Sequence, residues 1–154
     1  MSSIKKVAVI GTGVIGAGWI IRCLAHNKIV YAFDKDPKLK NSLIKEIKRT
    51  WPFVKKLFKK NKLNLKNFYY FTSLEKTLKD ADFIQECATE NYSIKTKLMN
   101  IIGKYSKKNT IISSSSSGLL PTRIYSKCKN PERTMIGHPF NPCLLYTSPS
   151  PRDS

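Results

Sequence analysis

Apolar residues in this chain fall into short continuous runs and four-residue repeats that alternate along its length. The run Val7-Ala8-Val9-Ile10 reads as a strand buried on both faces, predicted over 5–10, with a helix over 14–26 and Asn27 as its stop. A second strand is predicted over 29–34. Asp36-Pro37 then reads as an N-cap followed by proline at the first helical position. From there Leu39, Leu43, Ile47 and Trp51 recur every four residues, with Ile44 alongside, an amphipathic helix with a lysine-rich wet face. Pro52 is expected to end or kink it, and Val54, Leu57 and Phe58 to continue a second helical piece. Phe68 to Phe71 is a short strand, followed by a short helix from Ser73 with Leu74 and Leu78 inward. The next strand is predicted over 82–88. A helix over 91–105 places Ile94, Leu98, Ile101 and Ile102 on one face. A strand over 109–112 runs into the serines 113–117. A short helix over 121–127 and a last strand over 134–137, ending at His138, complete the order. Strands and helices alternate with no internal repeat, so the class is α/β, with a mainly parallel, doubly wound sheet covered on both faces.

The turn after the first strand adds chemistry to that outline. Gly11, Gly13 and Gly16 stand at G-x-G-x-x-G spacing between a predicted strand and a predicted helix. Gly11 permits the sharp turn, Gly13 lets backbone N–H groups approach a pyrophosphate, and Gly16 lets the helix pack close to the strand. The N–H groups of Val14, Ile15 and Gly16 open that helix and face where an anion would sit. Glycine turns of this kind also occur in ordinary cores. Here the second strand ends in Asp34, 18 residues after Gly16, where a carboxylate can receive the ribose hydroxyls of a dinucleotide. The combined spacing predicts a Rossmann-type dinucleotide site.

Composition changes the picture little. The chain has 154 residues, enough for one domain, and its 41% hydrophobic content fits a globular protein. A net charge of +18 would suit a nucleic acid or an anionic membrane. The excess is spread along the chain as lysine, without an RNA-binding signature, so no specific nucleic-acid partner is expected. The lysine run 55–60 reads as a solvated face. Cys23, Cys87, Cys128 and Cys143 lie far apart with no C-x-x-C, which predicts neither a metal site nor a disulfide framework and fits a cytoplasmic protein. The apolar run after Lys5 and Lys6 is broken by glycines and too short for a membrane span.

His138 opens His-Pro-Phe-Asn-Pro, a loop stiffened by two prolines. Histidine suits proton transfer at neutral pH, and a surface histidine after a strand fits the same pattern. His26, near a predicted helix C-terminus, reads as structural. The serine run lies at a strand's carboxyl end, where doubly wound folds place ligands.

Several stretches together resemble the cofactor domain of the L-3-hydroxyacyl-CoA dehydrogenase superfamily. They are Gly11 to Trp19, Trp51-Pro52, Ala81 to Glu86, Ser117 to Pro121, Asn130 to Arg133 and Gly137 to Pro142, in register over residues 4–142. Within it, Gly118-Leu119-Leu120-Pro121 and Pro139 are similar to the branch that oxidises L-carnitine to 3-dehydrocarnitine. The resemblance implies NAD as cofactor, a small 3-hydroxy acid as substrate and a homodimeric full-length parent. It implies His138 as the base, Ser117 as the hydroxyl that bonds the reacting oxygen, and Asn141 as a helper in the same loop. Glu90 and Lys95 match positions lining the nicotinamide side. A 3-hydroxyacyl-CoA dehydrogenase is the nearest alternative. A non-catalytic dinucleotide-binding relative, crystallin-like or an inert fragment, is the alternative of another class.

Residues 1–142 are thus expected to form the NAD-binding domain. Residues 143–154 depart from the superfamily and resemble translated sequencing-adapter sequence, a non-native tail. Ser150 stands where the superfamily carries a glutamate that orients the histidine. The helical second domain of the superfamily has no counterpart in these residues.

Overall fold

The computed structural model describes residues 4–58 and 62–139. Six strands form one sheet: β1 (Lys6–Ile10), β2 (Ile29–Phe33), β3 (Phe68–Phe71), β4 (Phe83–Glu86), β5 (Ile111–Ser114) and β6 (Thr134–Ile136). Every neighbouring pair is parallel, in the order β3-β2-β1-β4-β5-β6. The crossovers carry α1 (Val14–Ala25), α2 (Leu39–Leu57), α3 (Leu74–Leu78), α4 (Tyr92–Tyr105) and α5 (Pro121–Ile124). Strand residues alternate between two cores. Val7, Val9, Val30 and Ala32 pack with α1 and α2 through Ile20, Leu24, Leu43, Ile47 and Trp51. Ala8, Ile10, Ile84 and Ile112 pack on the opposite face with Leu78, Met99, Ile102 and Ile124. The expected doubly wound sheet, with helices on both faces, is the observed one.

The stop of α1 follows from Asn27, which takes a left-handed conformation at φ 57°. The Lys28 N–H reaches the Cys23 carbonyl and the Asn27 N–H that of Leu24, closing the helix end without glycine. His26 caps this terminus, and its ring meets Phe58 edge-on at 5.0 Å.

Four expectations need correction. Helix α2 runs through Pro52 as one element to Leu57. Pro52 lies on the exposed face, while Trp51 and Val54 are buried on the other and keep the helix seated across the lost hydrogen bond. The start of α2 lies at Leu39; Asp36 caps the turn before it, accepting the Lys38 N–H at 2.8 Å. The buried stripe of α4 is Lys95, Met99 and Ile102, with Ile94 47% exposed. The stripe is offset because a lysine occupies an inward position. Strand β5 also extends into the serine run, with Ser113 and Ser114 as buried members of the sheet.

Candidate active site

Strand order reverses between β1 and β4: the chain leaves β1 through α1 on one face and β4 through α4 on the other. The crevice beyond their carboxyl ends is where doubly wound folds hold ligands. The glycine turn lies there. Gly11 has φ +95°, and a Cβ on it would stand 2.8 Å from the Cys87 carbonyl oxygen. A Cβ on Gly16 would run into the Gly11 carbonyl, which explains the close seat of α1. Gly13 is different. A Cβ there would meet nothing within 4 Å, so this glycine faces open space. Helix α1 begins directly behind it with no side-chain cap and no acidic residue in its first turn. The N–H groups of Val14, Ile15 and Gly16 therefore present a helix N-terminus to that space.

Asp34 follows β2 on the same edge. One carboxylate oxygen accepts the Thr12 N–H at 3.1 Å and the Thr12 hydroxyl at 2.8 Å. The other accepts the Asp36 N–H at 3.4 Å. The carboxylate is thereby locked to the glycine turn. An open glycine, an uncapped helix N-terminus and a fixed carboxylate fit the pyrophosphate and ribose of a dinucleotide.

A second cluster lies beyond β4 and β5. Glu86, the last residue of β4, is wholly buried. Lys95, also wholly buried, reaches both its carboxylate oxygens at 2.8 Å and the Ala88 carbonyl at 3.1 Å. Glu86 accepts further bonds from the Ser114 hydroxyl and the Ala88 N–H. The same ammonium stands 3.6 Å from Glu90. Glu90 in turn gathers the serine loop, accepting the Ser116 hydroxyl at 2.6 Å and the Ser117 and Gly118 N–H groups at 3.0 and 3.1 Å. Burial alone would raise the Glu90 carboxyl. The Ser116 hydroxyl, the two amides and the Lys95 charge outweigh it and hold Glu90 below the ordinary carboxylate range. Lys95 thus lies inside the wall, as the tie between strand and loop, and Glu90 carries its influence to Ser117.

His138 follows β6 and is exposed. Its Nδ1 lies 3.0 Å from the Ser115 carbonyl oxygen. A carbonyl only accepts, so Nδ1 donates and the neutral ring keeps its lone pair on Nε2. His138 and Ser117 thus stand on loops that leave adjacent strands. Asn141 and the tail 143–154 lie outside the described residues. Thr12, Gln85 and Glu86 were given no role from the sequence, and Ser115 and Ser116 were marked only as part of the serine run. The signal available was the polar pair Gln85-Glu86 closing an otherwise apolar strand. Among the described residues no group of three or more His, Cys, Asp or Glu is placed to hold a metal ion, and no helix is long and apolar enough to cross a membrane.

Fold and crevice together define a Rossmann-type dinucleotide-binding domain. Residues 6–147 match the model of the 3-hydroxyacyl-CoA dehydrogenase NAD binding domain, and the chain belongs to that family. The L-carnitine dehydrogenase of Oceanobacillus iheyensis is 43% identical over 141 residues, covering 92% of this chain and 46% of the relative. That of Pseudomonas putida is 39% identical over 145 residues, covering 94% and 45%. Among solved structures, 3-hydroxybutyryl-CoA dehydrogenase from Escherichia coli superposes with a TM-score of 0.85 at 26% identity, over 94% of this chain and 31% of the other. The (S)-3-hydroxybutyryl-CoA dehydrogenase of Ralstonia eutropha gives 0.82 at 26% identity, over 92% and 51%. This chain spans about half the length of the curated relatives it matches.

Proposed function

We propose that this chain is the cofactor half of an NAD-dependent dehydrogenase that oxidises the 3-hydroxyl of L-carnitine to 3-dehydrocarnitine. The observation that supports the chemistry is the His138 Nδ1 contact with the Ser115 carbonyl, which makes Nε2 the basic nitrogen of the neutral ring. The likeness to L-carnitine dehydrogenases supports the substrate.

The glycine turn and the first amides of α1, at Val14 and Ile15, hold the pyrophosphate, and Asp34 takes the adenosine ribose. Glu90, fixed by Lys95, borders the nicotinamide side. NAD, when bound, supplies the ring that accepts the hydride. His138 Nε2 takes the hydroxyl proton as the C3–H bond gives up its hydrogen with both electrons. The products are the ketone, NADH and a protonated imidazole that returns its proton to water. Ser117 donates a hydrogen bond to the reacting oxygen, and Asn141 supports the loop. On the same reading the whole enzyme is a cytoplasmic homodimer with no specific nucleic-acid partner.

The test is NADH formation by the product of the complete gene. L-carnitine should be oxidised, and His138→Asn should cut turnover by roughly 10²–10⁴, the usual share of a general base. Oxidation of a 3-hydroxyacyl-CoA alone would keep the chemistry and overturn the substrate. Tight NADH binding with no turnover of either would leave a non-catalytic dinucleotide-binding protein.

A further inference from the structure

We propose that Gln85 is the positioning residue for His138: its buried amide ties together the two chain segments that hold the imidazole. The proposal rests on the catalytic role given to His138 above.

Gln85 is wholly buried in β4, between Val9 of β1 and Ser113 of β5 in the register of the sheet. Central parallel strands ordinarily fill such a position with an aliphatic side chain. Here the side chain crosses beneath the end of β5. Its Nε2 donates to the Ser115 hydroxyl at 2.8 Å and to the Gly137 carbonyl at 3.3 Å. The Gly137 carbonyl can only accept, so the amide orientation follows from the contact itself. Gly137 is the residue before His138. Ser115 is the residue whose carbonyl receives the His138 Nδ1–H at 3.0 Å. One amide therefore grips both the residue before the histidine and the side chain of the residue whose carbonyl selects its tautomer.

The packing around it leaves no slack. A Cβ on Gly137 would run into the Ser113 Oγ and stand 3.5 Å from the Gln85 Oε1. The conflict is with the Ser113 hydroxyl alone, since 3.5 Å from the Gln85 Oε1 is ordinary contact. The Ser115 hydroxyl is held a second time, 3.2 Å from the Cys87 Sγ. The consequence is specific. Without the two amide donors the Ser115 side chain and the Gly137 carbonyl lose their common tie, and only backbone bonds, from the Ser115 N–H to the Glu86 carbonyl and from the Gly137 N–H to the Ser114 carbonyl, hold the two segments, so the fit of the Nδ1–H to the Ser115 carbonyl loosens. The proton then distributes between the ring nitrogens, and Nε2 is the basic nitrogen only part of the time.

The chain holds only two histidines, so long-range proton–nitrogen NMR at alkaline pH, where the rings are neutral, reads each tautomer separately. Wild-type His138 should be mainly the Nδ1–H form. Gln85→Met, of similar length but without donors, should lower that population about two-fold or more and leave His26 unchanged, which a general loss of stability would not do. Ser115→Ala removes the hydroxyl that Gln85 grips and keeps the carbonyl; it should move the ratio in the same direction and decides the matter if Gln85→Met does not fold. An unchanged His138 ratio in the folded variant overturns the proposal. NADH titration of the same samples separates the two readings. A wild-type chain that ignores NADH counts against the dehydrogenase. An unchanged ratio with NADH binding intact counts against Gln85 alone.

Discussion

Replacing Lys95 by methionine keeps the length of the side chain and removes its charge. In the folded protein Lys95 and Glu86 are both wholly buried, and the ammonium bonds both carboxylate oxygens. After the substitution Glu86 keeps only the Ser114 hydroxyl and the Ala88 N–H. Removing one partner of such a pair costs about 3–5 kcal/mol, because the other charge stays buried without compensation. A domain of this kind has about 5–15 kcal/mol in all. With a urea slope near 2 kcal/mol per molar, the midpoint should fall by about 1.5–2.5 M. The assay is equilibrium unfolding followed by tryptophan fluorescence, since Trp19 and Trp51 both pack against the α1–α2 core. Adding Glu86→Gln removes the stranded charge and keeps an acceptor for Ala88 and Ser114. The double variant should recover about 2–3 kcal/mol of the loss, a coupling at the upper end for residues in one network. A single variant within about 1 kcal/mol of wild type would refute the reasoning. So would a double variant whose loss equals the sum of the two singles.

Asp34 should favour NADH over NADPH, since a carboxylate repels a 2′-phosphate, and Asp34→Ala should weaken NADH by about 1–3 kcal/mol in a fluorescence titration; equal or tighter NADPH binding would overturn this. Gly13→Ala should leave the urea midpoint nearly unchanged and weaken NADH, because the added Cβ meets only open space; Gly16→Ala should destabilise the fold by about 3 kcal/mol, because its Cβ meets the Gly11 backbone. Burial would raise the Asp82 carboxyl, but the Lys6 and Lys5 amides and the Lys107 ammonium outweigh it and hold it below its ordinary value. Its contribution is therefore present above the unfolded carboxyl range and lost as pH falls through the lower folded value, so Asp82→Asn should flatten the acid side of a stability-versus-pH curve.

The sheet and its two covering layers were legible because parallel strands buried on both faces read as unbroken apolar runs. Val7 to Ile10 and Ile29 to Phe33 are of that kind. Helix α4 was legible as a helix and its inward face was not, because Lys95 reads as a solvent residue until Glu86 is known to lie beneath it. Pro52 did not end the helix for a related reason: the burial of Trp51 and Val54 carries the element across it. In the site, the glycine spacing and Asp34 are local signals, and the structure brings them to one edge of the sheet. His138 was picked out by its proline-stiffened loop, and the roles given to it and to Ser117 came from resemblance. The ties that hold them were hidden because they join distant stretches: Gln85 meets a carbonyl 52 positions away, and Glu90 meets amides 27 and 28 positions away.

These ties share an origin in the alternation of a single strand. Gln85 and Glu86 are neighbours on β4, so their side chains leave opposite faces of the sheet. Glu86 shares its register row with Ile10 and Ser114 and meets Lys95 from α4. Through Lys95 and Glu90 that side governs the loop carrying Ser117. Gln85 shares its row with Val9 and Ser113, and through Ser115 and Gly137 it governs the loop carrying His138. On the proposed mechanism Ser117 and His138 serve one oxygen, and a hydroxyl donor and a proton acceptor doing so must keep a fixed separation. Placing their supports on consecutive residues of the central strand links both to one stretch of backbone, hydrogen-bonded on both sides within the sheet. A change that slides β4 by one residue would exchange the two faces and lose both at once.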